Sequence, residues 1–597
     1  MKKKILYAVA AIAVVVAVAL ACFYPKGEKT TKKAVTETPK VEKKKTVKKD
    51  QGSAIADVME DQIKLTLKKI GRKGTAKVYA YGADEYNTQD HIRGISKNVK
   101  ATGTFVGNYK CGQNKTLTIN RYNKYGYDGL YNKYYVVQNN KILYGPFYAT
   151  EVASAKKSIA FKQKSIKGLF NENSTNLSYA KDLGAQSVTL NVDLGSLLYS
   201  GSHPSNAYSM KVNGKMYYFN RNNVTNIDNV VRASSQAGMN VIAVCNAWKN
   251  NDTNLFSQSL RYNSPKSTIL MGTNTSNDTG RDQYIAMMEF LAHRYSQSAS
   301  TGLISTYVIS NEIDFTHYFY DCGDLNTFME EYSRALRLSN LAVKKYAADI
   351  NVAVPFTHYW AKSAGEMFKE CPGKSLAPKK MVDWLAKYTN ARGAYDWAIA
   401  PHCYGTVNTK SNLAKSDVQF KALTGNYQTS PQITFSNFEL WNAYLSQPEL
   451  LYKGKQRSVY LTESGASSSK GTTQGLNEQA ATLSQVYYKV AQMPFVKSFN
   501  YYRLNDHPEE AKNGLSCGLL NTSGAKKPAY TVYKFIDTKQ STKYTNPYLK
   551  YIDFKKDGKT DMSVSKGTVK SWKDTMTVYI SDYNWNKQWN MNKVYRK

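Results

Sequence analysis

Cysteine is sparse in this chain, and no two cysteines stand in a C-x-x-C spacing. Six lie beyond the first 25 residues: Cys111, Cys245, Cys322, Cys371, Cys403 and Cys517. That pattern argues against a zinc site or a redox motif, and it is too thin for a disulfide framework. Buried free thiols are expected instead. Acidic residues are also few. There are 45 Asp and Glu against 81 Lys and Arg, for a formal net charge of +36. Much of the excess is dispersed lysine, and no helix-turn-helix, zinc-finger or RNP-like pattern accompanies it, so nucleic acid is not expected as a partner. No phosphate loop, nucleophile elbow or metal-ligand cluster is found, so neither a cofactor nor a metal is expected. The charge then reads as a solvated basic surface, or as attraction to an anionic cell envelope or an acidic glycan.

What the chain does have is bulk and aromatic rings. Its 597 residues are 42% hydrophobic and 13% aromatic, with 47 tyrosines. That is too long for one ordinary core. Tyrosine, flat and apolar with a polar tip, suits both β-structure and sugar-contacting clefts.

Met1-Lys2-Lys3-Lys4 precedes an apolar run over 5–24, near the length that spans a bilayer. Within it, Ala19-Leu20-Ala21-Cys22 resembles a lipobox, although Ala19 stands where Leu is usual. Residues 1–25 therefore read as a lipoprotein signal or an uncleaved signal-anchor. Either puts the rest on the extracellular face of a bacterial membrane, held there by the N-terminus. Residues 26–53, rich in Lys, Thr, Glu and Val, read as a disordered tether.

Residues 54–155 show about seven short strands. Ile63, Leu65 and Leu67 alternate with polar residues, and Asn139-Asn140-Lys141 reads as a hairpin turn. This predicts a β-sandwich-like domain, for carbohydrate binding or for support. From 160 to 537 the period changes. Strand-like runs over 166–170, 187–192, 240–245, 306–310, 351–356, 397–401, 458–462 and 498–502 alternate with amphipathic helical segments. Eight such units predict an α/β fold, a (β/α)₈ TIM barrel. Residues 538–597 read as a β-rich extension with a strand over 576–580.

Two of the barrel's apolar runs stop at a glutamate. One is Tyr307-Val308-Ile309-Ser310-Asn311-Glu312 and the other is Ser458-Val459-Tyr460-Leu461-Thr462-Glu463. A barrel presents its chemistry at the C-terminal ends of its strands. Two carboxylates delivered there, after strands four and seven, suit a reaction that needs one acid and one nucleophile. This spacing resembles the clan A retaining glycoside hydrolases over roughly 165–537. The pairing of such a barrel with an N-terminal β-sandwich also resembles an uncharacterised bacterial family. The resemblance implies that Glu312 is the acid/base, that Asn311 bonds a sugar hydroxyl, and that Glu463 is the nucleophile.

His402 and Tyr404, two apart in Pro401-His402-Cys403-Tyr404, match the His-x-Tyr of cellulase-type members. There the tyrosine holds the nucleophile and the histidine lines the subsite; Cys403 between them should point away. The strand-eight tryptophan of the clan is replaced, with Tyr502 at its position. Arg503 beside it suits either an acidic sugar or an ion pair with Asp506. Other strand ends carry Asn246 and Trp248, and His358 and Trp360. Their rings read as sugar platforms or as core and loop anchors.

The leading expectation is an extracellular, membrane-tethered retaining glycoside hydrolase that cleaves a β-linked oligo- or polysaccharide by double displacement. A catalytically silent carbohydrate-binding barrel and a basic cell-surface adhesin are the alternatives.

Overall fold

The computed structural model describes residues 52–82, 103–152, 155–159, 161–170, 176–262, 270–319, 321–368, 371, 373–404, 423–468, 471–512, 514–552, 570–576 and 584–596. The expected anchor over 1–25 and nearly all of the tether lie outside the described residues. So does the strand expected over 576–580, apart from Met576.

Seven strands open the described chain: β1 (Ser53–Val58), β2 (Gln62–Lys68), β3 (Thr75–Tyr81), β4 (Thr104–Lys110), β5 (Asn114–Asn120), β6 (Lys133–Gln138) and β7 (Lys141–Val152). In β2, Ile63, Leu65 and Leu67 are buried while Lys64 and Lys68 face solvent, so one side of the ribbon makes the core. The β6–β7 turn uses Asn139 and Asn140, both with positive φ (50° and 61°), a pair suited to a two-residue hairpin. The strands form a single sheet in the order β4-β3-β6-β7-β1-β2-β5. Its two edges approach one another, and a Cβ on Gly107 of β4 would meet the Leu117 side chain of β5 at 3.1 Å. The domain is thus a nearly closed seven-stranded sheet.

The barrel follows. In chain order its strands and their insertions are β8 (Lys167–Phe170), β9 (Ser187–Asp193), the hairpin β10 and β11 (Tyr208–Val212, Lys215–Phe219), β12 (Asn240–Trp248), the short pair β13 and β14 (Arg261–Tyr262, Leu270–Thr273), β15 (Ile304–Ile309), β16 (Asn351–Phe356), β17 (Trp397–Pro401), β18 (Val459–Ser464) and β19 (Val496–Tyr501). Eight of them, β8, β9, β12, β15, β16, β17, β18 and β19, pair in parallel, each with the next. β19 returns to β8 and closes the ring.

A helix follows each: α1 (Leu177–Leu183), α2 (Arg221–Gln236), α3 (Asp278–Arg294), α4 (Leu325–Tyr346), α5 (Pro378–Arg392), α6 (Glu439–Leu445), α7 (Thr473–Ala491) and α8 (Pro528–Phe535). Their starts are written locally. The Asn220 side-chain Oδ1 accepts from Asn222 N at 3.1 Å, the Asp324 carboxylate accepts from Thr327 N at 2.8 Å, and α5 begins at a proline.

Ile242, Val244, Val308, Ala353, Ala398 and Ala400 pack with Tyr460 in the barrel's interior. A polar brace crosses beside them. Ser187 Oγ donates to Asn500 Oδ1 at 2.7 Å, Asn500 Nδ2 donates to Thr189 Oγ1 at 2.7 Å, and Thr189 Oγ1 donates to the Thr462 carbonyl at 2.8 Å. Each member is satisfied, so the brace is tolerable at depth.

The β domain rests on α3 and α4 through buried charge. Arg121 donates twice to Asp128, and Lys345 reaches both Asp128 (3.1 Å) and Glu289 (2.9 Å). Tyr131 and Tyr346 donate their hydroxyls to Glu289. Beyond the barrel, helix α9 (Ser541–Leu549) packs on α7, with Tyr488 bonded to Ser541 and Thr545. Arg596 returns to pair with Asp537 at 3.1 Å. The described part of the tail therefore lies on the barrel, as helix and short turns.

Candidate active site

Both glutamates come to the C-terminal mouth of the barrel, each by a local departure from regular backbone. After β15 the chain turns through Ser310 and Glu312, which have φ of 68° and 42°. Such left-handed residues are unusual for side chains other than glycine or asparagine. Hydrogen bonds hold the turn, from Ser310 N to the Cys245 carbonyl at 2.9 Å and from Ile313 N to the Pro355 carbonyl at 3.2 Å. On β18, the pairing with β19 shifts register between Leu461 and Ser464, so the segment carrying Glu463 is not a plain pleat.

His402 joins the two acids. Its Nδ1 lies 3.0 Å from Glu312 Oε1 and 3.7 Å from Glu463 Oε2, and one such atom from each of the three side chains lies within 4.8 Å of the others. Thr462 Oγ1 stands 3.4 Å from Nε2 on the other side of the ring. Facing two carboxylates, Nδ1 is the nitrogen that carries a proton. Burial works against the imidazolium. Glu463, the bond to Glu312 and the nearby Asp314 outweigh it and push the His402 pKa up.

Tyr404 Oη donates to Glu463 Oε1. Burial pushes the Glu463 carboxyl above its ordinary range. His402, Tyr404 and Arg503 pull against that push, while Glu312 adds to it. This set of side chains also has the composition of a cation site. The donors already on Glu312 and Glu463 account for their close approach without one.

Asp314 lies two residues past Glu312 and is 1% exposed. It accepts from Thr357 N at 2.9 Å and from Thr357 Oγ1 at 2.5 Å. Burial pushes its pKa to about 7. Sequence reading gave Asp314 and Thr462 no role. Thr462 directly precedes one glutamate and Asp314 lies two residues past the other, and that proximity was the available signal.

The remaining predicted residues are placed as follows. Asn311 is half-buried, directly before Glu312. Tyr502 is fully buried, edge-on to Tyr404 at 6.1 Å and to Phe170 at 5.0 Å, with its hydroxyl donated to Glu510. Trp248 ends β12, half-buried. His358 is buried against Tyr359 at 4.8 Å, and burial lowers its pKa to about 3, which keeps it neutral.

Two residues outside this group carried alternative readings. Arg503 does not pair with Asp506. It donates to Glu510 at 2.8 Å, and Lys527 takes Asp506 at 2.7 Å. Trp360 is an anchor, not a platform. It is fully buried against Trp441 and Tyr444, with its indole N–H on the Tyr427 carbonyl. Cys403 is buried with its Sγ 3.7 Å from the Ile433 carbonyl, and burial raises its thiol pKa, consistent with an inert group.

Two heavy-atom networks thus meet at one point, carboxylates with an imidazole between them and a tyrosine hydroxyl on one acid. Residues 160–560 match a family described as "Family of unknown function (DUF5722)". No curated protein matches the chain. In structure it is similar to a family 39 glycoside hydrolase from the gut symbiont Bacteroides cellulosilyticus WH2, with 14% identity, coverage of 81% of this chain and 81% of that one, and a TM-score of 0.40. It is similar to a β-glucosidase mutant derived from a hyperthermophilic tetrameric structure, with 12% identity, coverage of 66% and 99%, and a TM-score of 0.42. It is also similar to the β-glycosidase from the hyperthermophile Thermosphaera aggregans, with 11% identity, coverage of 64% and 87%, and a TM-score of 0.40. At such values the chemistry of this chain has to come from its own side chains.

Proposed function

The chain belongs to that family, DUF5722, and we propose that its barrel is a retaining glycoside hydrolase acting on a β-linked glycan. The observation that carries the reading is the pair of glutamates at the mouth, with carboxylate oxygens within 4.8 Å of one another. A retaining mechanism asks for carboxyl groups about 5–5.5 Å apart; an inverting one needs about 6.5–9.5 Å, to admit a water.

In this reading Glu463 attacks the anomeric carbon and Glu312 protonates the leaving oxygen. Glu312 then takes a proton from the water that releases the sugar. Tyr404 keeps Glu463 ionised and aimed. The proton between His402 Nδ1 and Glu312 Oε1 is the stock from which Glu312 is charged as an acid. Asn311, Tyr502, Trp248 and His358 are proposed to contact sugar. We further place the protein on the extracellular face of a bacterial membrane, anchored through residues 1–25. Support for this comes from the apolar run of the sequence; among the described residues no helix is long and apolar enough to cross a membrane.

The test uses Glu312→Ala. Loss of the acid should cost far more on substrates with poor leaving groups than on activated aryl β-glycosides. Added azide should restore turnover of the aryl substrates and give a β-glycosyl azide, since azide needs no base. Equal losses on both substrate types and no azide product would remove Glu312 from the mechanism.

A further inference from the structure

β12 delivers more than a wall to the barrel. Its residues alternate between the helices and the interior, and Ile242 and Val244 belong to the interior cluster. By the same alternation that face continues upward to Asn246 and to Trp248, whose ring also packs against the main core, so a polar and an aromatic side chain end the strand at the mouth.

Trp248 is held by both ends of its own peptide. Its N–H donates to Asp193 Oδ1 at 3.1 Å, and its carbonyl accepts from Arg261 Nη1 at 2.5 Å. Neither partner is casual. Asp193 ends β9 and also accepts from Gly195 N at 2.8 Å and Ser196 Oγ at 2.5 Å. Arg261, on β13, is 2% exposed and donates to the Phe256 carbonyl at 2.6 Å and the Ser257 carbonyl at 3.4 Å. β14 pairs with β12 at Trp248, so β13 and β14 extend the wall past the barrel rim. Gly195 completes the fit, for a Cβ there would lie 2.3 Å from the Trp248 carbonyl oxygen. A buried arginine and a half-buried aspartate thus spend their hydrogen bonds on one half-buried tryptophan and the loops around it.

Asn246 adds an independent observation. It is 5% exposed, and its Oδ1 has no hydrogen-bond partner among the described residues. A buried amide oxygen left in this way costs stability unless a ligand supplies the donor. A sugar hydroxyl beside an aromatic face is that kind of donor.

We propose that Asp193 and Arg261 are positioning residues that hold Trp248 as the platform of a sugar subsite, and that Asn246 Oδ1 accepts a hydroxyl of the ring stacked there. The subsite rests on the glycosidase reading of Glu312 and Glu463, and it names the side of the mouth, β9 and β12, on which the glycan lies. The clamp explains why the platform is precise. A ring free to swing would lose part of its stacking energy to its own ordering.

Binding is measured by calorimetry in a Glu463→Gln background, against β-1,4-linked gluco-, xylo- and manno-tetrasaccharides and β-1,3-linked glucotetraose. Trp248→Ala and Asp193→Ala should each weaken the tetrasaccharide that binds by about tenfold or more. Asp193→Asn, whose amide oxygen still accepts from Trp248 N, should stay within about threefold. Asn246→Ala should weaken binding while leaving the melting temperature unchanged or raised, which a residue kept for packing would not do. If Asp193→Ala does not fold, Arg261→Lys carries the test, since a single ammonium nitrogen cannot span the three carbonyls that the guanidinium reaches through Nε, Nη1 and Nη2. If the background binds but Trp248→Ala and Asn246→Ala stay within about twofold of it, the subsite is refuted and the glycosidase reading stands. A background that binds none of the four, together with a wild type inactive on aryl β-glycosides, refutes both.

Discussion

Replacing Tyr404 with phenylalanine removes one oxygen and, with it, the hydrogen bond to Glu463 Oε1. The ring should stay in place, because its edge-on contact with Tyr502 at 6.1 Å does not need the hydroxyl. A hydrogen bond to a charged group is worth about 1.5–3 kcal/mol, and one pKa unit is about 1.4 kcal/mol. His402, 3.7 Å away, still favours the ionised carboxylate, so the lower part of that range applies. The sign follows from the side that is stabilised. Tyr404 donates to the carboxylate, so its loss raises the pKa of Glu463, and an attacking carboxylate must be ionised. The acidic limb of kcat/KM should therefore move to higher pH by about one unit, with a fall of about tenfold on that limb and little change where both proteins are on their plateau. The assay is initial rates on an aryl β-glycoside from about pH 4 to 9, with melting temperature as a control for folding. An acidic limb that stays put or moves down, in a folded protein, would refute the assignment of Tyr404 and Glu463.

Asp314 should make folding pH-dependent in the opposite sense from a salt-bridged carboxylate. Its proton is held up to about pH 7 in the folded chain and leaves near 3.8 in the unfolded one. Stability is therefore retained below about pH 4 and lost as pH rises through 7, by at most about 4 kcal/mol. Asp314→Asn should gain melting temperature over wild type as pH rises from about 4 to 8, and a constant or shrinking gap would contradict the burial argument. At the N-terminus, mass spectrometry of the native protein should find either a lipid on Cys22 or an intact Met1. A soluble chain starting near Phe23 would rule out both forms of anchoring.

The barrel was legible because its strands are buried on both faces and so read as unbroken apolar runs, as in 240–245. His402 and Tyr404 were legible as a pair because a spacing of two keeps one face. The approach of Glu463 to Glu312 was not. Leu461 packs among the helices, and strict alternation from it would send Glu463 the same way; only the register shift between Leu461 and Ser464 alters that, and no residue type announces it. The protein partner of Arg503 was not legible for a similar reason. Asp506 is nearer in sequence, but the chain turns it toward Lys527 and presents Glu510. Trp360 has the composition of a platform, and only its distant partners Trp441 and Tyr444 reveal an anchor. In the β domain the strands were countable one by one. Their order was not, since β1 lies between β7 and β2 through a pairing that spans most of the domain.

The left-handed turn at Ser310 and Glu312 sets this segment against its own scaffold. Each such residue costs on the order of 1 kcal/mol, and a glycine or an asparagine would relieve it. A search for thermostable variants would thus be drawn to position 312 first, and would be rewarded there with a sturdier barrel that, on the proposed reading, had lost its acid. On the proposed reading, hardiness and turnover compete at a single peptide in this fold.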